Sequence, residues 1–258
     1  MKKWVIKYSV KTIVAIAILV LFAAAATVYG GSLCKEDNKT ILSTLNRHVP
    51  IPPARIVSKR QLYGLCEIIL EIRGEFVPVY ATDQFVLAGE LFCRRHPVTQ
   101  EKIRKIQEKL FISMRPELDK VVAMIYRPDT EKIQHTLYMI TDPACPYCHL
   151  AEAGIREIAK EHNAVLKVVF FPVHLPEGKE KAIEAICRKL NFQAYIKDNW
   201  RREGKTEQHQ CEKGKKLLKK SIALGKRLGI RGVPTFYLDN GKKAVGANKG
   251  LIEKLFAD

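Results

Sequence analysis

Cys145-Pro146-Tyr147-Cys148 constrains this chain more than any other stretch, because of what lies on either side of it. Residues His135 to Thr141 form an apolar, β-branched run of strand character, and after the cysteines Leu150, Ile155 and Ile158 recur at helical spacing, facing inward, as far as Glu161. Two sulfurs are thus delivered from a strand into the first turn of a helix. There the unpaired amides and the macrodipole favour an anion, which points to a thiolate at Cys145. Pro146 suits the first helical position because it has no amide to satisfy, and Tyr147 adds an apolar face for contact with another chain. Cys148, one turn along, is placed to resolve a mixed disulfide. The pattern points to thiol–disulfide exchange with Cys145 as the attacking sulfur.

Three rival chemistries share the motif. A structural zinc site would need a second close Cys or His pair, which the sequence lacks, so no metal is assigned. Cys145-Pro146-Tyr147-Cys148-His149 also matches the CxxCH pattern of haem attachment. The strand-like run before it and the lack of a small all-helical unit around it argue against haem, and no cofactor is assigned. An inert loop disulfide is the plainest alternative. The second informative place is Gly232-Val233-Pro234-Thr235-Phe236, where a proline opens a strand directly after a glycine turn. Alone, it reads equally well as the start of an edge strand. Downstream of a strand, a CxxC and a helix, it reads as a cis-proline loop facing the cysteines, with the backbone of Val233 open to an extended client.

Lys2, Lys3, Lys7 and Lys11 precede and border an apolar run from Thr12 to Val28, the arrangement of an export signal. Residues 1–31 are read as a signal peptide or a membrane anchor. Ala24-Ala25-Ala26 would suit cleavage, and the run is also nearly long enough to span a bilayer. In both cases the remainder lies outside the cytoplasm, where seven cysteines are disulfides or redox centres rather than reduced core thiols. A net charge of +17 raises the question of nucleic acid. The basic residues alternate with acidic ones along helices, without a zinc finger, an RNA-binding signature or a basic arm, so no nucleic-acid partner is assigned.

Even without the export segment, a chain of 258 residues leaves room for two packed units. Residues 32–54, bordered by Gly30-Gly31-Ser32 and containing Pro50-Ile51-Pro52-Pro53, read as a linker. Short runs within residues 55–96, such as Glu67 to Ile72 and Phe76 to Tyr80, read as a small antiparallel sheet too thin to stand alone and in need of a partner subunit. Residues 97–118 read as a helical linker with Ile103, Ile106 and Leu110 inward. Residues 119–258 carry strands over 121–126 and 135–141, the CxxC helix, a strand over 165–171, helices over 180–190 and 213–228, the strand after Pro234, and a closing strand and helix. The fold class is α/β, with a helical insertion, behind a small α+β domain.

In this order the elements resemble the thioredoxin fold, and more narrowly the DsbC/DsbG family of periplasmic disulfide isomerases. The resemblance is carried by Ile140-Thr141-Asp142-Pro143-Ala144-Cys145-Pro146-Tyr147-Cys148-His149, by Ala185-Ile186-Cys187, and by the stretch from Leu224 to Pro234. It implies disulfide isomerisation on exported protein clients, with Cys145 and Cys148 as the catalytic pair, Pro234 as the cis-proline and Cys187–Cys211 as a structural disulfide. It also implies a periplasmic homodimer joined through residues 55–96 and a DsbD-like membrane thiol reductant. Cys66 and Cys93 are read as a second bridge, which has no counterpart in the family, and Cys34 as unpaired. One departure is Val233, where the isomerases usually carry threonine and DsbA-type oxidases carry valine. A thiol oxidase, a client-specific reductase and, from another class, a non-enzymatic periplasmic chaperone stand as alternatives.

Overall fold

The computed structural model describes residues 33–130, 132–197, 199–202 and 209–257. The expected export segment, residues 1–31, lies outside them. Among the described residues no helix is long and apolar enough to cross a membrane. The chain divides into two compact units, one running to Ile72 and taking in Phe76–Glu90, the other comprising Arg73–Glu75 and the chain from Leu91 onward.

In the first unit a 3-10 turn, Leu33–Lys35, leads into helix α1, Asn38–His48. Asp37 caps this helix, its carboxylate accepting from the amides of Lys39 at 2.8 Å and Thr40 at 3.0 Å. Strands β1 (Arg55–Leu62), β2 (Leu65–Ile72), β3 (Glu75–Ala81) and β4 (Val86–Ala88) form a sheet in that order, antiparallel between β1 and β2 and between β3 and β4. The two-residue turn Tyr63-Gly64 has φ of 50° and 81°, the positive values that a hairpin of matching twist requires. Ile41 and Leu45, one turn apart on α1, pack on Ile68 and Leu70 of β2.

Two expectations are corrected here. Residues 32–54 are not a plain linker, because α1 supplies one layer of this core. Cys66 is bridged to Cys34, at an S–S distance of 2.03 Å, and not to Cys93. The bridge fastens the turn before α1 to β2, and Cys93 falls in the other unit. It lies on the hairpin β5 (Phe92–Cys93) and β6 (His96–Pro97). That hairpin is anchored to the start of helix α2, Val98–Asp119: the Leu91 amide donates to Thr99 Oγ1 and the Val98 amide to the Leu91 carbonyl, both at 2.9 Å. The boundary near residue 96 therefore shifts back to about Leu91.

The second unit is built on strands β7 (Met124–Tyr126), β8 (His135–Thr141), β9 (Ala164–Phe170), β10 (Thr235–Leu238) and β11 (Lys243–Val245), ordered β11-β10-β8-β9-β7. Only β8 and β9 run parallel among these neighbours, joined by helix α3, Pro146–Glu161. Both faces of the sheet are covered, which is why β8 and β9 read as nearly continuous apolar runs. Leu137, Met139, Leu166, Val168 and Phe170 face Ile155 and Ile158 of α3. Tyr138, Ile140 and Val169 face the opposite way, against Phe111, Met114 and Leu118 of α2. Phe111 stacks on Tyr237 with ring centres 4.4 Å apart and meets Tyr138 edge-on at 5.4 Å. The helix expected as a linker is thus a core element over its C-terminal half, and β7 starts late, at Met124, because α2 runs to Asp119.

Between β9 and β10 lies the helical insertion: α4 (Glu177–Cys187), α5 (Phe192–Ile196), α6 (Asn199–Arg202) and α7 (Glu212–Arg227). Cys187, the last residue of α4, is bridged to Cys211, the N-cap of α7, at 2.04 Å. Gly214 makes that approach feasible, since a Cβ there would stand 2.6 Å from Cys187 Sγ. A last short helix, α8 (Lys249–Glu253), follows β11.

Candidate active site

The site is assembled where β8 ends. Asp142 turns the chain: its carbonyl accepts the Cys145 amide at 3.0 Å and its Oδ1 accepts the Ala144 amide at 2.9 Å. Cys145 then occupies the N-cap of α3, with φ −89° and ψ 119°, and Pro146 takes the first helical turn, where a missing amide costs nothing. The Cys145 carbonyl receives the amides of Cys148 at 3.0 Å and His149 at 3.2 Å, which starts the helical ladder.

Both active-site thiols are free, and they differ in setting. Cys145 is 3% exposed and its Sγ lies 3.8 Å from the Val233 carbonyl, while Cys148 is fully enclosed. Burial pushes the Cys148 thiol well above the usual cysteine range, and the neighbouring Cys145 sulfur adds to this. The Asp142 amide, 3.5 Å from Cys148 Sγ, pulls weakly the other way. Cys148 is therefore a protonated reserve behind Cys145.

The Val233–Pro234 peptide is cis, with Pro234 buried and Val233 half-buried. Thr235 Oγ1 donates to the Gly232 carbonyl at 2.7 Å, holding this loop against the end of β10. Cys145, Cys148, Val233 and Pro234 are thus brought together across 88 residues of sequence separation. Cys187 and Cys211 form their own bridge elsewhere in the insertion, and Cys66 and Cys93 are not part of the site.

Sequence reasoning gave no role to Asp142. Its carboxylate is buried, and four donors converge on it: the Ala144 amide on Oδ1, and on Oδ2 the Val173 amide at 2.9 Å, the His174 amide at 2.8 Å and His174 Nδ1 at 2.8 Å. Gly178 packs so closely that a Cβ there would stand 2.2 Å from Oδ1. Asp142 thereby ties the turn that carries Cys145 to the segment following β9. The signal in the sequence was an acidic residue at the end of an apolar strand, a place where a charge survives only if it is fully bonded.

Leu150 was expected to face inward. It is 66% exposed, as is Tyr147, because the buried stripe of α3 runs through Cys148, Ala151, Ile155 and Ile158 and Leu150 lies off that stripe. With Leu175, 68% exposed, they give the site apolar surface of the kind that contacts another chain. His149, the ligand that the haem reading would need, engages its Nε2 with the Pro143 carbonyl at 2.8 Å. Among the described residues no group of three or more His, Cys, Asp or Glu is placed to hold a metal ion.

A CxxC opening a helix, opposite a cis-proline and on a sheet with this strand order, defines a thioredoxin-fold protein. Residues 128–254 match the family described as thioredoxin-like domain. Over 188 residues the chain is 26% identical to the probable thiol:disulfide interchange protein DsbC of Bordetella avium, covering 71% of this chain and 62% of that one. The chain thus spans 62% of that relative's length. A linker-deleted, point-substituted ScsC of Proteus mirabilis superposes with a TM-score of 0.51 at 16% identity, over 62% of this chain and 84% of that one, a likeness of fold. Within the thioredoxin fold, the chain is similar to DsbC.

Proposed function

We propose that this chain exchanges disulfides in exported protein clients, chiefly by isomerising wrong ones. The observation that carries the reading is Cys145 Sγ at the start of α3, 3.8 Å from the Val233 carbonyl, with Cys148 enclosed behind it. The helix start favours negative charge, and the Val233 backbone is available to an extended client. The Cys145 thiolate attacks one sulfur of a client disulfide, forming a mixed disulfide and expelling the other sulfur as a client thiolate. That thiolate attacks a second client disulfide, or returns to displace Cys145 in a new pairing. If the client stalls, Cys148 loses its proton and attacks Cys145 Sγ, releasing the client thiol and leaving Cys145–Cys148 oxidised. Two electrons from a DsbD-like membrane reductant restore the pair.

The same reading places the protein in the periplasm, exported by residues 1–31, as a homodimer joined through its first unit. Exposed Tyr147, Leu150 and Leu175 also favour a second reading, a chaperone that holds unfolded chains without chemistry. Reactivation of scrambled ribonuclease separates the two. Cys145→Ala abolishes it under the exchange reading, while Cys148→Ala retains part of it. Wild-type rates in both variants, with client aggregation still suppressed, would replace exchange by the chaperone. Equilibration against glutathione buffers then assigns direction, since valine before the cis-proline resembles the oxidases and a reducing pair would not.

A further inference from the structure

Next to the site a groove of about 700 Å³ lies between α4 and α7. Its floor is apolar, made by Phe171, Ile183 and Leu218, all buried, with half-buried Ile222 beside them. Its rim carries Lys179 from α4 and Lys215, Lys219 and Lys226 from α7, against a single acidic lining residue, Glu180. Lys215 is paired with Glu212 at 2.9 Å. Among the described residues, Lys179, Lys219 and Lys226 have no ion-pair partner. Three exposed ammonium groups thus border a recessed apolar floor against one lining carboxylate, Glu180, which leaves the rim net positive.

The segment at the edge of the groove is tied to the reactive turn by hydrogen bonds. Leu175 and Pro176, at its edge, belong to the segment whose Val173 and His174 amides are held by Asp142, and the Phe171 amide donates to the Thr141 carbonyl at 2.8 Å. Asp142 is three residues before Cys145, at most about 10 Å of chain. A client strand lying across Val233 and Cys145 therefore reaches the groove within a few residues.

We infer that this groove receives an acidic, apolar stretch of the client polypeptide and so sets which clients are processed. The inference rests on the exchange reading and deepens it by naming a substrate class. Apolar side chains of the client cover Ile183 and Leu218 while its Asp and Glu residues meet the free lysines on both walls, one on α4 and two on α7. A lipid surface fits less well. Its headgroups would reach the rim lysines but leave the recessed floor empty, whereas a side chain fills it.

The test uses the full-length protein and two fluorescent, cysteine-free peptides read by anisotropy. One carries Leu and Phe between Glu and Asp; the other has Gln and Asn in their place. The acidic peptide binds about ten-fold more tightly near 50 mM NaCl, and the margin shrinks near 500 mM as the charges are screened. Lys179→Glu/Lys219→Glu, on exposed positions that leave the fold intact, removes the preference. Equal affinities, or a preference that survives the double variant, overturns the inference, as does a double variant that loses binding to phosphatidylglycerol vesicles but not to the acidic peptide. Scrambled-ribonuclease reactivation run alongside separates the two ideas: its absence in wild type sinks exchange, whereas reactivation without any acidic preference sinks only the groove.

Discussion

Replacing Asp142 by asparagine tests whether one buried carboxylate holds the active-site turn together. Four donors point at it and none at any other acceptor of the same cluster: one amide on Oδ1, two amides and an imidazole nitrogen on Oδ2, all between 2.8 and 2.9 Å. Asparagine has one acceptor oxygen. In its better orientation that oxygen takes the three donors of Oδ2, and the new NH2 group faces the Ala144 amide, donor against donor. Gly178 closes the other side of the carboxylate, so the side chain has no room to swing away. The loss is one hydrogen bond to a charged acceptor, about 1.5–3 kcal/mol, with the stranded amide adding to it, so the substitution costs about 2–4 kcal/mol. For a unit of this size each kcal/mol lowers Tm by about 2–4 °C, which puts the fall between about 4 and 16 °C. Trp200 is the convenient reporter. It is buried in the core of the second unit, its Nε1 donating to the Tyr195 carbonyl at 2.8 Å. The only other tryptophan, Trp4, is replaced by phenylalanine in both proteins. Thermal unfolding followed by Trp200 fluorescence should show the shift, and a Tm within about 1 °C of the parent would refute the idea that Asp142 clamps the turn.

Further outcomes follow from the same packing. Non-reducing peptide mapping should recover Cys34 linked to Cys66 and Cys187 linked to Cys211, with Cys93 alkylated; since 32 residues separate Cys34 from Cys66, Cys34→Ser should cost about 3–4 kcal/mol in urea unfolding of the first unit. In a reduced Cys145→Ala/Cys93→Ser protein, Cys148 should react with iodoacetamide at pH 8 at least about ten-fold more slowly than free cysteine, because burial holds it protonated. As its folded pKa lies above the unfolded one, the stability that this thiol contributes is present below the unfolded pKa and lost as pH rises past it, so the alkaline fall of Tm should be smaller in Cys148→Ala. Phe111→Ala should destabilise the second unit by about 3–5 kcal/mol, the cost of emptying a core position, whereas a free linker helix would lose less than 1.

The fold class was legible because its signals are local. The apolar runs of β8 and β9 and a helical stripe after the cysteines are each contained in a dozen residues, and their order leaves few topologies for a chain with one parallel crossover. What escaped has a physical reason in each case. Helix α1 is rich in Asn, Thr and Ser and is followed by prolines, so it reads as linker, although Asp37 at its cap and the Ile41–Leu45 pair were the available signs. Leu150 was taken as inward on hydrophobicity, while the buried stripe was set by the sulfur of Cys148 and by small Ala151. The partner of Cys66 could not be read at all, because pairing is decided by which turn the sheet brings within about 6 Å, and spacing along the chain carries no such information. The role of Asp142 depends on Val173 and His174, 31 and 32 residues away.

That dependence bears on how the site works as a unit. Burying a lone carboxylate in a thiol-containing turn is costly, and an apolar residue would remove the cost while leaving β8 intact. An apolar residue could not, however, fix two backbone segments against each other. Through Asp142 the turn that aims Cys145 and the segment that carries exposed Leu175 share one anchor, so neither can shift without breaking bonds to the other. Under the exchange reading this couples where a client is held to where its disulfide meets the attacking sulfur. A reactive sulfur gains little from proximity unless the bound disulfide is also aligned with it, and an error of about 1 Å costs on the order of a hundred-fold in rate. The retained charge is therefore best understood as a positioning device: it spends folding stability to keep the nucleophile and the apolar contact surface in register.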